Sequence, residues 1–146
     1  MKLLAVDTSG PVCGVAILTE DGIRHECAVM NHKTHSVNLL PMIDNAFQST
    51  GLTIQDMDCL AVVVGPGSFT GVRLGVSTVK GLAHGAGKPC VAVNALEAMA
   101  AGISGFSGVV CPIQDARAGQ VYGAAFSAGE NRPNRLMADT PMKVED

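Results

Sequence analysis

The segment Val64-Gly65-Pro66-Gly67-Ser68-Phe69-Thr70-Gly71-Val72-Arg73-Leu74-Gly75 is the stretch best suited to chemistry. It follows an apolar run and opens a helical pattern, the setting in which backbone amides and a helix dipole hold an anion. No G-x-x-x-x-G-K-[ST] can be laid over it, so it is not a Walker A loop. Gly65, Gly67 and Gly71 are spaced G-x-G-x-x-x-G and no ribose carboxylate follows, so it is a poor dinucleotide fingerprint. Two readings stand: an anion- or nucleotide-touching loop, or a sharp turn capped by Ser68 or Thr70.

Arg73 falls in the first helical turn, where a cation opposes the dipole by roughly 0.3–1 kcal/mol. A carboxylate or phosphate partner would explain it, and a solvated arginine is the alternative. Asp7, at the end of the first apolar run, could hold Mg²⁺ through water or accept amides in a turn, and the turn role is the simpler. Asp115 is the other carboxylate that could join Asp7 and the glycine loop in phosphoryl chemistry. Asn31-His32-Lys33-Thr34-His35 contains H-x-x-H without the zincin spacing or glutamate, which reads as two solvated histidines. No nucleophile-base-acid arrangement is readable, and no metal site is expected.

The elements that must position these residues follow from periodicity. Leu3 to Val6 reads as a buried strand, with a second strand over Val12–Thr19 and a third over Ile23–Met30, turned by Glu20-Asp21-Gly22. A helix follows His35, with Ser36 as its cap, Leu39, Leu40, Ile43 and Phe47 on one face, a late start or bend at Pro41, and Gly51 as its stop. Leu60–Val64 is a central strand, Gly71–His84 a second helix, Cys90–Val93 a fifth strand, and Asn94 caps a third helix. The order β-β-β-α-β-α-β-α predicts a three-layer α/β lobe with strands one, four and five parallel.

Gly102 to Gly108 is a boundary by composition, giving a lobe over 1–107 and the truncated beginning of a second over 108–146. There, Val109–Ile113 and Val121–Phe126 form a strand pair, after which the chain turns polar. The second predicted helix carries Gly71, Gly75, Gly81 and Gly85, each costing ~0.5–1 kcal/mol against Ala unless a backbone must come close. Its own sheet accounts for one face, leaving the other for a partner.

The chain has 146 residues, of which 47% are apolar and 16% charged, ample for a core. A net charge of −3 and an aromatic content of 3% argue against direct nucleic-acid binding, which calls for basic grooves and stacking rings. Five cysteines stand singly inside apolar runs, as reduced, buried thiols of a cytoplasmic protein do. No apolar run approaches the ~20 residues of a membrane span, so no membrane partner is expected.

These residues resemble the TsaB (YeaZ) family. The likeness is carried by Leu3-Leu4-Ala5-Val6-Asp7-Thr8-Ser9, by His35 to Asp44 with Leu39-Leu40-Pro41, and above all by Gly65 to Gly75. Gln114-Asp115-Ala116-Arg117 with Val121-Tyr122 is similar to the family's entry into its second lobe. The resemblance covers about residues 1–126. It implies an actin-like ATPase (ASKHA, ribonuclease H-like) α/β fold with a mixed five-stranded sheet.

It also implies a non-catalytic scaffold in forming threonylcarbamoyladenosine on tRNA. Such a subunit pairs with TsaD, joins the ATPase TsaE, touches tRNA only through the complex, and forms a homodimer in isolation. Older family labels, glycoprotease or M22 peptidase, do not transfer, because the metal-binding H-x-x-x-H of the catalytic relative is missing here. Family chains are longer, so the resemblance implies that this one ends inside lobe two.

Under this reading no cofactor is needed, and the interface lies on two helices. Leu39, Met42, Ile43 and Ala46 stand on the first, and Arg73, Gly75, Thr78, Val79 and Leu82 on the second. An ATP-binding phosphotransferase using Asp7, Gly65, Gly67, Ser68, Thr70 and Asp115 is the alternative, and a metallopeptidase the lesser one.

Overall fold

The computed structural model describes residues 1–30, 34–103, 106–128 and 132–144. His32 of the histidine pair, Ser104 and Gly105 of the boundary segment, and Glu130 and Asn131 of the polar turn lie outside the described residues.

Strands β1 (Leu3–Asp7), β2 (Cys13–Thr19) and β3 (Gly22–Val29) form an antiparallel meander. Helix α1 (His35–Thr50) leads to β4 (Cys59–Gly65), α2 (Phe69–Ala86), β5 (Cys90–Asn94) and α3 (Ala95–Ala101). The sheet runs β3-β2-β1-β4-β5, with β4 parallel to both β1 and β5. This is the mixed five-stranded sheet that the strand periodicity predicts.

Both long helices lie on one face of that sheet. Leu4, Val6, Val15, Ile17, Leu60 and Val62 point from the strands into one core, which α1 and α2 close. The smaller α3 takes the other face, beside Ala61 and Val63, and Asn94 caps its start by accepting from the Glu97 amide (2.8 Å). Helix α1 starts two residues earlier than Ser36 as a cap would have it, with Thr34 at the N-cap. It also runs on through Pro41 to Gly51, whose φ of 68° supplies the left-handed C-cap.

A second sheet consists of β6 (Gly108–Val110), β7 (Ile113–Arg117), β8 (Gln120–Ala128) and β9 (Asn134–Lys143). The predicted strand over Val109–Ile113 is broken at Cys111-Pro112, since a proline has no amide for the ladder. Its two pieces pair with the same edge of β8, and β9 pairs with the other. Strand β9 is a correction to the polar tail read from the sequence. Nearly all its side chains are exposed, so no apolar alternation marks it. Sheet two rests on α3 through Leu96 and Ala100 against Ala124 and Phe126.

The cysteines are free, but only Cys13 is fully buried, and Cys90 and Cys111 are exposed. The expectation of uniformly buried thiols is thereby corrected: Cys90 lies on the edge strand and Cys111 in the break. Burial, with Asp7 and Cys27 nearby, pushes the Cys13 thiol up. A raised folded pKa gives stability that is present below the ordinary thiol range and lost as pH rises through it. Iodoacetamide at mildly alkaline pH should therefore alkylate Cys90 and Cys111 first and Cys13 only on unfolding, as read by mass spectrometry.

Candidate functional site

The glycine loop and the end of β1 are locked together by buried polar groups. Thr8 and Ser9, both essentially inaccessible, follow the exposed Asp7. The Thr8 hydroxyl donates to the Gly71 carbonyl (2.7 Å), and the Ser68 amide donates to the Ser9 carbonyl (2.7 Å). Gln114, arriving from β7, donates through Nε2 to the same Ser9 carbonyl (3.3 Å). Thr8, Ser9 and Gln114 are the residues that sequence reasoning missed. The signal was the Gly71/Gly75 pair at helical spacing, which demands a close neighbour without naming it.

That neighbour is β1's own end. A Cβ at Gly71 would lie 2.1 Å from the Thr8 carbonyl oxygen, and one at Gly75 2.4 Å from the Thr8 hydroxyl oxygen. Gly67 has a φ of 157° and comes equally close to Ser9, whose carbonyl oxygen would lie 2.4 Å from an added Cβ. Gly81 and Gly85, by contrast, have nothing within 4 Å. The four glycines of α2 divide into two buried against β1 and two open on the outer surface.

Ser68 is the N-cap of α2, accepting from the Gly71 amide (3.3 Å). Thr70 lies exposed in the first turn. The Arg73 guanidinium sits over the Phe69 ring, 4.2 Å from the centroid, and among the described residues it pairs with no carboxylate. A cation–π contact one turn away thus offsets its place at the positive end of the helix.

Ser68, Thr70, Gly67 and Asp115 do share a cleft of about 530 Å³, with Ser9, Gly10, His35, Phe69, Gln114, Arg117 and Tyr122. Asp7 and Gly65 do not line it. Asp7 opens instead on a hollow on the α3 side of the sheet, beside Ala5, Gly14, Ala16 and Ala61. Its Oδ1 accepts from the Ser9 amide (2.8 Å) and hydroxyl (2.7 Å), the turn role favoured from sequence. Asp115 is similarly occupied, accepting from the Arg117 amide (2.7 Å) in the β7–β8 hairpin. His35 Nε2 donates to the Gly10 carbonyl (2.8 Å). Among the described residues, no three His, Cys, Asp or Glu side chains come together as a metal site.

The interface predicted from sequence needs correction. Leu39, Met42, Ile43, Ala46, Gly75 and Val79 are all buried within this chain's own core. The apolar stripe of an amphipathic helix first covers its own sheet, so those residues are not free to dock. Thr78 and Leu82 are half-buried, and only Arg73 of the set is exposed. The outward faces carry other residues: Val37 and Leu40, each 55% exposed, on α1, and Phe69, 72% exposed, on α2. His35 and Phe69 line the same cleft, so the first turns of both helices lie at one end of the molecule.

The family model described as TsaD, tRNA N6-adenosine threonylcarbamoyltransferase, matches residues 24–146. The solved structure of YeaZ from Pseudomonas aeruginosa superposes with a TM-score of 0.86 at 30% identity, over 99% of this chain and 68% of that one. The chain belongs to the TsaB (YeaZ) family. The tRNA threonylcarbamoyladenosine biosynthesis protein TsaB of Bacillus subtilis is 36% identical over the whole chain. This chain spans 64% of that relative's length. ROK hexokinase from Thermus thermophilus, at 14% identity and a TM-score of 0.54 over 89% of this chain and 48% of that one, shares only the fold. That fold is the actin-like ATPase architecture, so the TsaB-like sheet and helices are as the resemblance implied. No helix among the described residues is long and apolar enough to cross a membrane.

Proposed function

We propose that this chain is a non-catalytic subunit in the formation of N6-threonylcarbamoyladenosine on tRNA. It docks a TsaD homologue through the outward faces of α1 and α2, with a TsaE homologue joining the assembly. The observation that carries the reading is the outer surface of the two helices. Phe69, Val37 and Leu40 stand exposed there, and α2 presents Gly81 and Gly85 with open space above them. An exposed aromatic with aliphatic neighbours is what an interface hot spot requires, and bare glycine backbone admits a close partner helix. A second copy of the chain meets the same surface when the partner is absent, and tRNA is reached only through the complex.

The scaffold role is supported by the use already made of the polar groups. Asp7 and Asp115 serve local turns, and His35 ties α1 to the Gly10 loop. The work is cytoplasmic under this reading. The test is co-purification with a TsaD homologue from a bacterial lysate, followed by gel filtration of the purified pair. A chain that elutes alone at micromolar concentrations of both proteins would overturn it.

A second reading, an ATP-binding phosphotransferase, is favoured by the cleft that joins Ser68, Thr70, Asp115 and Arg117. Titration calorimetry with Mg²⁺-ATP separates the two. The scaffold reading expects no heat from the chain alone, and a saturable isotherm weakened by Ser68→Ala would reverse the order of preference.

A further inference from the structure

Helix α2 carries Arg73, Lys80 and His84 and no acidic residue, in a chain whose net charge is −3. All three residues are exposed. Arg73 and Lys80 lie two turns of helix apart, so they stand on one side of α2 with about 10 Å between them along the axis. Phe69, one turn before Arg73, begins the same row, and its ring lies under the Arg73 guanidinium. Among the described residues, neither Arg73 nor Lys80 forms an ion pair with a carboxylate. The neighbouring α1 supplies one acidic residue, Asp44, which accepts from Gln48 Nε2 (2.6 Å).

We propose that Arg73 and Lys80 select the partner of the α1–α2 surface: they favour a protein that sets carboxylates against α2 and disfavour a second copy of this chain. This selection rests on the docking role proposed above and adds the chemistry of what docks. Two identical copies meeting through one patch bring the same residues together. Arg73 and Lys80 of one copy then face a surface with those same two cations, and Asp44 is the one acid that either helix can set against them. Like charges brought together and desolvated across an interface weaken it. A protein with carboxylates in that place gains where the second copy loses, and the positive end of the α2 dipole, beside Arg73, favours the same anions.

A nucleic-acid backbone is the poorer occupant. It is held by surfaces that gather many cations, whereas this row belongs to a chain of net charge −3. The adjoining α1 turns the aliphatic Val37 and Leu40 outward rather than further cations. Exposed aliphatic side chains beside a short charged row suit a protein surface, with an apolar centre and a polar rim.

The first test needs only this chain. Arg73→Glu with Lys80→Glu gives a copy whose α2 presents two carboxylates at the same positions. Both sites are exposed, so the variant should keep its far-ultraviolet dichroism. In analytical ultracentrifugation at low salt, an equimolar mixture of wild type and variant should associate at least about tenfold more tightly than either alone. Raising sodium chloride from about 50 to about 500 mM should erase that difference. A mixture no tighter than its components overturns the proposal, as does a difference that survives high salt. The second test titrates the TsaD homologue against wild type and against Arg73→Gln with Lys80→Gln. Over the same salt range the wild-type Kd should rise at least about tenfold, and that of the neutral variant less than about threefold. Equal salt dependence of the two, or none for wild type, overturns the proposal and leaves the docking reading intact. A TsaD homologue that binds neither form removes the docking reading, and the mixing experiment still decides what the charged row does.

Discussion

Gly71→Ala should destabilise the chain by about 3 kcal/mol or more, while Gly81→Ala in the same helix should stabilise it by ~0.5–1 kcal/mol. The opposite signs come from what each added methyl meets. At Gly71 it would sit 2.1 Å from the Thr8 carbonyl oxygen, a backbone atom just past the end of β1 that no rotamer change can move. Relief requires α2 to lift from the sheet. That lift breaks the buried bond from the Thr8 hydroxyl to the Gly71 carbonyl and strands both groups. The loss is a large share of the 5–15 kcal/mol typical of a folded domain. At Gly81 nothing lies within 4 Å, so only the helix-propensity gain remains. Urea melts of Gly71→Ala, Gly75→Ala, Gly81→Ala and Gly85→Ala will show it. The first pair should move the midpoint down by more than ~1 M at unchanged slope, and the second pair up. Four equal shifts would mean that α2 does not press on β1 as the structure has it.

Loss of partner binding should follow from Phe69→Ala and Leu40→Asp, by ~30- to 1000-fold in Kd for the TsaD homologue, with the monomer still folded. Both side chains stand largely in solvent, so their removal leaves the core untouched. Ile43→Asp gives the complementary result. Ile43 is 4% exposed within the main core, and a carboxylate there is buried without a partner. It should unfold the chain rather than uncouple the complex. Gel filtration with dichroism on all three variants separates these outcomes. Full binding by both Phe69→Ala and Leu40→Asp would remove the outward helix faces from consideration.

The split between Ile43 and Leu40 shows how far one-dimensional reading reaches. Both are apolar and both belong to the same amphipathic helix, and hydrophobic periodicity places them on one stripe. In the fold, Ile43 enters the core beneath α1 and Leu40 stays outside. The periodicity identifies a helix with an apolar side, but a single helix cannot say whether that side meets its own sheet or another protein. The same limit applies to α2, where a run of glycines reads uniformly and the fold treats its two halves in opposite ways.

What the sequence determined by itself is the strands and α-helices up to Ala101 and their order. Continuous apolar runs, turn residues and capping residues are local signals, and β1 through α3 follow them to within a few residues. The glycine segment and the family resemblance are equally local, because they depend on residue types at fixed spacing. Only the tertiary structure decided which residues are neighbours across the chain. Thr8 and Ser9 are near Gly71 because β1 and β4 lie side by side in the sheet, a pairing between residues far apart in sequence. It also decided that β9 is a strand. A mostly exposed edge strand draws its order from the ladder of β8, and that ladder leaves no hydrophobic pattern in the sequence of β9 itself.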